Sequence, residues 1–266
     1  MVKIHPSSIV DPKAELADDV EIGPFCTVGP NVKIGSGTRL ISHVVVDGYT
    51  TMGARNLVYP FAALGLLAQH KRSNAPDAVL IIGDDNTFRE HVTAHVGSEV
   101  DHKITTIGNR NLFLVASHIA HDCVLGDDII MSNNATLAGH VHVEDKAIIG
   151  GLAAVLQFTR IGEGAMIGGM AGITRDVIPY GLVMGGGRST LSGLNLIGLQ
   201  RAGVPKEKIM TLQHAYKKLF DKESKGLFAE RLNELEQNEE FSQNELVRKV
   251  IEFVKNPSKN NILQPE

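Results

Sequence analysis

The chain has 266 residues, 43% of them apolar, which suits one large domain or one domain with an appendage. Its net charge is −4, so it lacks the basic excess that broad nucleic-acid binding needs. No apolar run approaches the roughly 18 residues of a membrane span, and residues 1–6 (MVKIHP) do not form a secretory signal. We therefore expect a cytoplasmic protein without a membrane span, in which Cys26 and Cys123 are free thiols.

Apolar residues recur at every sixth position from Ile4 to Leu64 without interruption. This period matches neither the 3.6-residue turn of a helix nor the two-residue alternation of a strand. Glycine often follows the apolar residue, as Gly23 follows Ile22, and a small residue such as Cys26 often lies four positions after it. The pattern resembles the hexapeptide repeat of left-handed parallel β-helices, in which three six-residue faces make a coil of eighteen residues. The expected handedness follows from this resemblance.

Two polar segments interrupt the repeat, near residues 66–81 and 95–106. Leu64 and Ile82 are eighteen positions apart, so we interpret the first segment as a loop that replaces part of one turn. After the second segment the phase has slipped by one residue, and the register resumes at Ile107. Loops that leave a rigid scaffold commonly carry binding residues.

Helical periodicity replaces the hexapeptide rule after Pro179. We therefore predict a mainly β protein with a β-helix over residues 1–187 and a C-terminal α-helical domain over residues 188–266. The predicted helices span residues 193–202, 206–221, 227–237 and 243–255. Residues from 256 onward are predicted to form a frayed tail.

The densest cluster of proton-transfer groups follows the second polar segment. Its members are His118, His121, Asp122, Gly139 and His140. Positions eighteen apart stack on neighbouring coils, about 4.8 Å apart, so we expect His121 beneath Gly139 and Asp122 beneath His140. Both His118 and His121 should point outward, because neither occupies an inward position of the repeat. Asp122 could also be a solvated turn carboxylate.

Several blocks of sequence carry a more specific resemblance. They are residues 22–26 (IGPFC), 42–46 (SHVVV), 120–123 (AHDC), 133–141 (NNATLAGHV) and 157–158 (QF). Together with the helical tail, they resemble the UDP-N-acetylglucosamine 3-O-acyltransferases over nearly the whole chain. The resemblance implies transfer of a (3R)-3-hydroxyacyl group from acyl carrier protein to UDP-N-acetylglucosamine, the first step of lipid A biosynthesis. The donor would be the 4'-phosphopantetheine thioester of the carrier, with no metal or other cofactor.

The resemblance also implies roles for individual residues. His121 would be the general base, Asp122 would orient it, and the Gly139 backbone N–H would stabilise the oxyanion. The residues implied to contact the substrates are His118, His140, Gln157, His70, Lys71, Asn195, Arg201 and Gly169. Among them Asn195, Arg201 and the Lys71 loop, with the adjacent Arg72, would hold the uridine diphosphate.

Acyl length is a separate expectation, because a residue in this family closes the far end of the acyl groove. The matching position is Gly169, 48 residues beyond His121, or roughly 13 Å along the prism. Glycine there predicts an open groove and long acyl chains. Met170 or Arg188 could instead close the groove from the side.

Four positions depart from the family pattern. They are Leu156 in place of His, His70 in place of an Asp in the first loop, Ile197 in place of Glu and Ala202 in place of a second Arg. All four concern sugar or nucleotide binding, and His70 could replace the missing Asp as a sugar contact. The acceptor could therefore be the amine of a 3-amino-sugar nucleotide. A zinc enzyme like the γ-class carbonic anhydrases is the second rival, although it would have no use for the helical tail.

Further expectations concern assembly and the remaining histidines. A β-helix has shallow faces, so a homotrimer is expected to build the cleft between neighbours. Acyl carrier protein would dock on basic residues of the helical tail, which are Lys206, Lys208, Lys217, Lys218, Lys222 and Lys225. The histidines expected on the surface, without a role, are His91, His95, His102 and His142.

Overall fold

The computed structural model describes residues 1–71, 73–186, 189–221, 223 and 226–265. Before the first loop the strands are β1 (Lys3–Ile4), β2 (Ile9–Val10), β3 (Glu15–Leu16), β4 (Glu21–Ile22), β5 (Thr27–Val28), β6 (Lys33–Ile34), β7 (Arg39–Leu40), β8 (Val45–Val46), β9 (Tyr49–Met52), β10 (Leu57–Val58) and β11 (Ala63–Leu66). Between the two loops they are β12 (Val79–Ile82), β13 (Thr87–Phe88) and β14 (Thr93–His95).

The strands after the second loop continue the same pattern. They are β15 (Ile104–Ile107), β16 (Leu112–Phe113), β17 (His118–Ile119), β18 (Val124–Leu125), β19 (Ile130–Met131), β20 (Thr136–Leu137), β21 (His142–Val143), β22 (Ile148–Ile149), β23 (Ala154–Val155), β24 (Arg160–Ile161), β25 (Met166–Ile167), β26 (Gly172–Ile173), β27 (Gly181–Val183) and β28 (Leu191–Leu194). From β1 to β26 every third strand shares a parallel sheet, so these strands form a first sheet from β1, a second from β2 and a third from β3, and β27 and β28 extend the first. The predicted left-handed β-helix is confirmed.

The six-residue period arises because one apolar side chain per face points into the prism. Ile119, Leu137 and Val155 stack in successive coils of the second sheet and are all buried. The chain turns between faces through residues in the left-handed region, such as Asp122 with φ +58° and His140 with φ +63°. This conformation costs free energy for residues other than glycine, and the burial of each apolar layer offsets that cost.

The first loop is an insertion, which corrects our interpretation that it replaces part of a turn. Ile82 pairs with Met52, thirty positions earlier instead of eighteen, so twelve extra residues leave the scaffold between β11 and β12. The eighteen-residue interval from Leu64 to Ile82 is a coincidence, because the two residues lie on different sheets. The second loop adds seven residues, since Ile119 pairs with Ala94, twenty-five positions earlier.

The C-terminal region is helical, as expected. Its helices are α1 (Leu196–Arg201), α2 (Lys206–Leu219), α3 (Phe228–Gln237), α4 (Glu239–Gln243) and α5 (Glu245–Lys255). The predicted start of the first helix at residue 193 is wrong, because Leu191–Leu194 forms β28, antiparallel to β27. The helix begins after Asn195, whose side chain accepts a hydrogen bond from the Gly198 N–H at 3.0 Å.

The prediction of a frayed tail after residue 256 is also wrong. Ile262 and Leu263 are buried, and the segment pairs with the last coil at Asp176. Apolar burial and backbone hydrogen bonds therefore hold this end of the chain. The predicted domain boundary falls at Gly187 and Arg188, outside the described residues, and the division into two domains stays a prediction.

Candidate active site

His121 and Asp122 occupy the turn after β17, at the corner between the second and third sheets. His121 Nδ1 lies 2.8 Å from Asp122 Oδ2. The expectation that His121 points out of the prism holds, since its position is outside the stacked core layer, but it is only 8% exposed. It is not free of packing, because the ring of His70 from the first loop lies 5.5 Å from its ring and His140 lies 5.1 Å from it.

Asp122 is 2% exposed, so the alternative of a solvated turn carboxylate is wrong. The second loop covers it, and Ser98 donates to it from the backbone N–H at 3.0 Å and from Oγ at 2.5 Å. Burial alone would raise the pKa of Asp122, but the hydrogen bonds from His121 and Ser98 outweigh it and hold the pKa below its usual range. The carboxylate therefore stays ionised and favours the His121 tautomer that carries its proton on Nδ1.

The expected stacking of Gly139 on His121 is confirmed. A Cβ placed on Gly139 would lie 2.8 Å from His121 Nε2, which real side chains do not tolerate. The Gly139 N–H has no hydrogen-bond acceptor among the described residues. A glycine in this place therefore keeps open the space next to Nε2 and leaves one N–H donor there.

His118 and His140 flank this pair from two directions. Thr93 Oγ1 lies 2.7 Å from His118 Nδ1, and burial lowers the pKa of His118. His140 Nδ1 lies 2.9 Å from Asp101 Oδ2 in the second loop. Each ring is thus fixed by a hydrogen bond with a neighbouring element, which leaves its other nitrogen for a ligand.

His95 was expected on the surface, and that expectation is wrong. Its side chain is buried, its ring lies 5.2 Å from that of His118, and its Nδ1 has no hydrogen-bond partner among the described residues. Burial, with the nearby charges of His118 and His121, lowers the pKa of His95 to about 4. His95 ends β14 at the point where the second loop begins, and only the path of that loop decides that it is covered. The other three, His91, His102 and His142, are exposed as expected.

Two loop residues in the site, Ser98 and Asp101, were missed by sequence reasoning. The only signal for them was that the second loop is polar and leaves the scaffold next to the histidine cluster. Their contacts bridge 24 and 39 positions of the chain, so no local pattern could identify them.

The remaining predicted binding residues are placed as follows. Lys71 lies beside His70 and is exposed, while Arg72 lies outside the described residues. Gln157 is exposed at the same corner as His121, two coils further on, and its carbonyl accepts a hydrogen bond from Asn260. Arg201 is exposed at the end of α1. The structure therefore brings His70 to His121, whereas no described contact joins Arg201 to His121.

Gly169 lies at a different corner from His121. It follows β25 of the first sheet, whereas His121 follows β17 of the second. The distance of roughly 13 Å counted only the rise along the prism. Because the path must also cross the second sheet, the distance from His121 to Gly169 is longer than expected.

Three side chains of the site also have the spacing of possible metal ligands. One ligand atom each of His121, Asp122 and His140 lie within 4.8 Å of one another. His140 Nε2 is 3.9 Å from Asp122 Oδ2, which exceeds the separation of about 3.3 Å between ligands of a tetrahedral zinc ion with bonds near 2.0 Å. Metal binding would therefore require the side chains to close in and to exchange existing hydrogen bonds.

Comparisons with known proteins identify first a class and then a family. A family model described as "Udp N-acetylglucosamine O-acyltransferase; Domain 2" matches residues 176–263. The crystal structure of the Francisella novicida UDP-N-acetylglucosamine acyltransferase matches with a TM-score of 0.93 at 33% identity, covering 99% of this chain and 94% of that chain. The chain is thus an acyltransferase built on a left-handed β-helix.

Curated relatives narrow this class. A protein from Syntrophobacter fumaroxidans is 48% identical over 82% of this chain and 85% of its own length. One from Rhizobium johnstonii is 39% identical over 99% of this chain and 95% of its own length. Both are named acyl-[acyl-carrier-protein]–UDP-N-acetylglucosamine O-acyltransferase, and this chain belongs to that family. Among the described residues, no helix has the length and apolar character to cross a bilayer.

Proposed function

We propose that the protein transfers a (3R)-3-hydroxyacyl group from acyl carrier protein to the 3-hydroxyl of UDP-N-acetylglucosamine, beginning lipid A biosynthesis. The observation that carries this proposal is the His121–Asp122 pair facing an open glycine. Family membership supports the choice of substrates, since the curated relatives are named for this reaction.

The pair provides a base whose orientation is already set. Asp122 accepts a hydrogen bond from the Nδ1–H of His121, so the Nε2 lone pair is free to remove the proton of the sugar hydroxyl. The hydroxyl oxygen attacks the thioester carbon, and the carbonyl electrons become an oxyanion that the Gly139 N–H stabilises. When the oxyanion collapses, the carbon–sulfur bond breaks and the imidazolium returns its proton to the departing thiolate. An ester and a free pantetheine thiol result.

The sugar nucleotide is assigned to residues of the first loop and of the region around α1. We assign His70 to the sugar, because its ring contacts that of His121. Arg201 and Lys71 are assigned to the diphosphate as exposed cations. Asn195 keeps only an indirect role, because its amide caps α1 and donates to the Gly164 carbonyl. Arg201→Ala should raise the KM for the sugar nucleotide severalfold, and a fall in kcat alone would contradict this assignment.

The reaction is tested by mass spectrometry of the product formed from 3-hydroxyacyl carrier protein and a mixture of UDP-N-acetylglucosamine and its 3-amino analogue. An ester of UDP-N-acetylglucosamine is expected. An amide as the main product would instead establish the N-acyltransferase alternative. The zinc alternative would use His121, Asp122 and His140 as ligands, and metal analysis with and without a chelator tests it.

A homotrimer is part of the proposal. Large apolar side chains are exposed along the corner between the first and second sheets, including Leu152 and Met170, both more than 60% exposed. Such a stripe favours a protein contact. Sedimentation should give three times the monomer mass, and a monomer at micromolar concentration would count against it.

Docking of the acidic carrier protein is proposed for α2. Lys208 and Lys218 are already paired with Glu245 at 2.9 Å and Glu234 at 3.1 Å, which leaves Lys206 and Lys217 for the carrier, while Lys222 and Lys225 lie outside the described residues. A KM for the carrier that does not change with salt concentration would contradict this docking site.

The cytoplasm remains the proposed compartment, because the described cysteines are buried free thiols.

A further inference from the structure

The C-terminal segment, residues 258–263, crosses the last coil of the β-helix and is called here the C-terminal strap. It is anchored by Asp176, whose side chain is fully buried. Ser258 donates to this carboxylate from its backbone N–H at 2.8 Å and from Oγ at 2.6 Å. The Asp176 backbone pairs with the strap as well, at Asn261 and Leu263. A buried carboxylate with charge-assisted hydrogen bonds is a strong anchor.

A second anchor lies two residues further along the strap. Asn260 Nδ2 donates to the Gln157 carbonyl at 2.8 Å and lies 3.0 Å from Thr159 Oγ1. Lys259 is therefore held between two fixed residues, although its own side chain is exposed. A lysine in a loose tail would lose backbone conformational entropy when it binds a ligand. At Lys259 this entropy has already been lost on folding, so ligand binding does not incur that cost.

The anchors place Lys259 at the edge of the candidate active site. Its Nζ lies 4.6 Å from the centre of the Phe158 ring. Phe158 stacks on His140 with ring centres 4.4 Å apart, and His140 in turn meets His121 at 5.1 Å. No carboxylate lies within salt-bridge distance of Lys259 in the described parts of the chain. A positioned ammonium without an acidic partner is suited to an anion from outside the protein.

We propose that Lys259 binds a phosphate group of a substrate and that the C-terminal strap holds it in place. An ammonium offers three N–H donors and a compact charge, which suit phosphate oxygens. The inference rests on the proposed function, in which both substrates carry phosphate: the diphosphate of the sugar nucleotide and the phosphodiester of the pantetheine arm. Lys259 would thus supply a second cation, in addition to Lys71, from the C-terminal part of the chain.

The test is calorimetric binding to the full-length protein, which does not require turnover. The ligands are UDP-N-acetylglucosamine, a 3-hydroxyacyl-phosphopantetheine and the same acyl-pantetheine without phosphate. In Lys259→Met, binding of one phosphate ligand should weaken about 5- to 20-fold, whereas acyl-pantetheine should bind unchanged. Whichever phosphate ligand is affected identifies the source of the phosphate. Lys259→Arg should retain most of the affinity.

Lys13→Met is the matched control, because Lys13 is also an exposed lysine and lies near the other end of the prism. It removes the same charge and should leave all three affinities unchanged. Unaltered binding of both phosphate ligands to Lys259→Met would overturn the inference. Equal weakening of acyl-pantetheine would also overturn it, because the effect would then not depend on phosphate. Absence of acyl transfer by the wild-type protein would contradict the proposed function without changing these binding results.

Discussion

The imidazole of His121 lies against the α-carbon of Gly139, because the two residues occupy the same corner of successive coils. A Cβ on Gly139 would lie 2.5 Å from His121 Cε1 and 2.8 Å from Nε2. The backbone of Gly139 is not in the left-handed region, so close approach to the ring, not φ, requires glycine here. The proposed base and the proposed oxyanion donor thus share one small space that a single methyl group would fill.

Gly139→Ala tests this relationship directly. The added methyl should push the His121 ring away from Asp122 and block Nε2, so kcat should fall about 10²- to 10³-fold. Thermal unfolding should change little, because the methyl group would meet the end of the His121 side chain and no backbone atom. Activity within threefold of wild type would show that the space beside Nε2 is not where the reaction occurs.

His121→Ala should lower kcat by about 10²- to 10⁴-fold through loss of the base. Because the side chain is buried against His70 and His140, we also expect a loss of about 1 kcal/mol in the free energy of unfolding. His142→Ala is the control, since His142 is exposed on the neighbouring strand. A similar decrease in kcat in both variants would contradict the assignment of His121 as the base.

His95 predicts a pH dependence of stability. Its pKa is about 4 in the folded protein and near 6.5 in the unfolded chain, so between these values only the unfolded chain binds the proton. The stabilisation by neutral His95 is therefore complete above pH 6.5 and lost as pH falls to about 4, a change on the order of 3 kcal/mol. Chemical denaturation from pH 7.5 to 4.5 should show this slope, and His95→Gln should flatten it. An equal slope in both proteins would contradict the assignment.

Gly169→Met should shift donor preference from long to short 3-hydroxyacyl chains. A Cβ at this position would lie 3.1 Å from the Gly151 carbonyl oxygen, so a side chain fits with a small local adjustment. Gly169→Ala is the control for that adjustment and should change the preference much less. Competition between two acyl carriers of different chain length measures the ratio of kcat/KM values. A ratio unaffected by methionine would exclude Gly169 as the ruler.

The six-residue period of the sequence by itself determined most of the β-helical scaffold. Each apolar layer needs one inward residue per face. Ile119 and Leu137, eighteen positions apart, are therefore expected on the same face of successive coils, and they are paired there. That regularity also predicted the stacking of His121 beneath Gly139, because a solenoid turns sequence separation into spatial separation.

Only the tertiary structure decided what covers the site and what anchors the ends. The loops obey no period, so neither the burial of Asp122 by Ser98 nor that of His95 could be predicted. The interval of eighteen residues from Leu64 to Ile82 led to a wrong interpretation of the first loop. The number of residues between two strands does not specify which sheet the second strand joins. The C-terminal strap was likewise predicted to be a frayed tail, because its sequence shows no period. Its stability comes from Asp176, more than eighty positions away, and contacts of that separation leave no local pattern in the sequence.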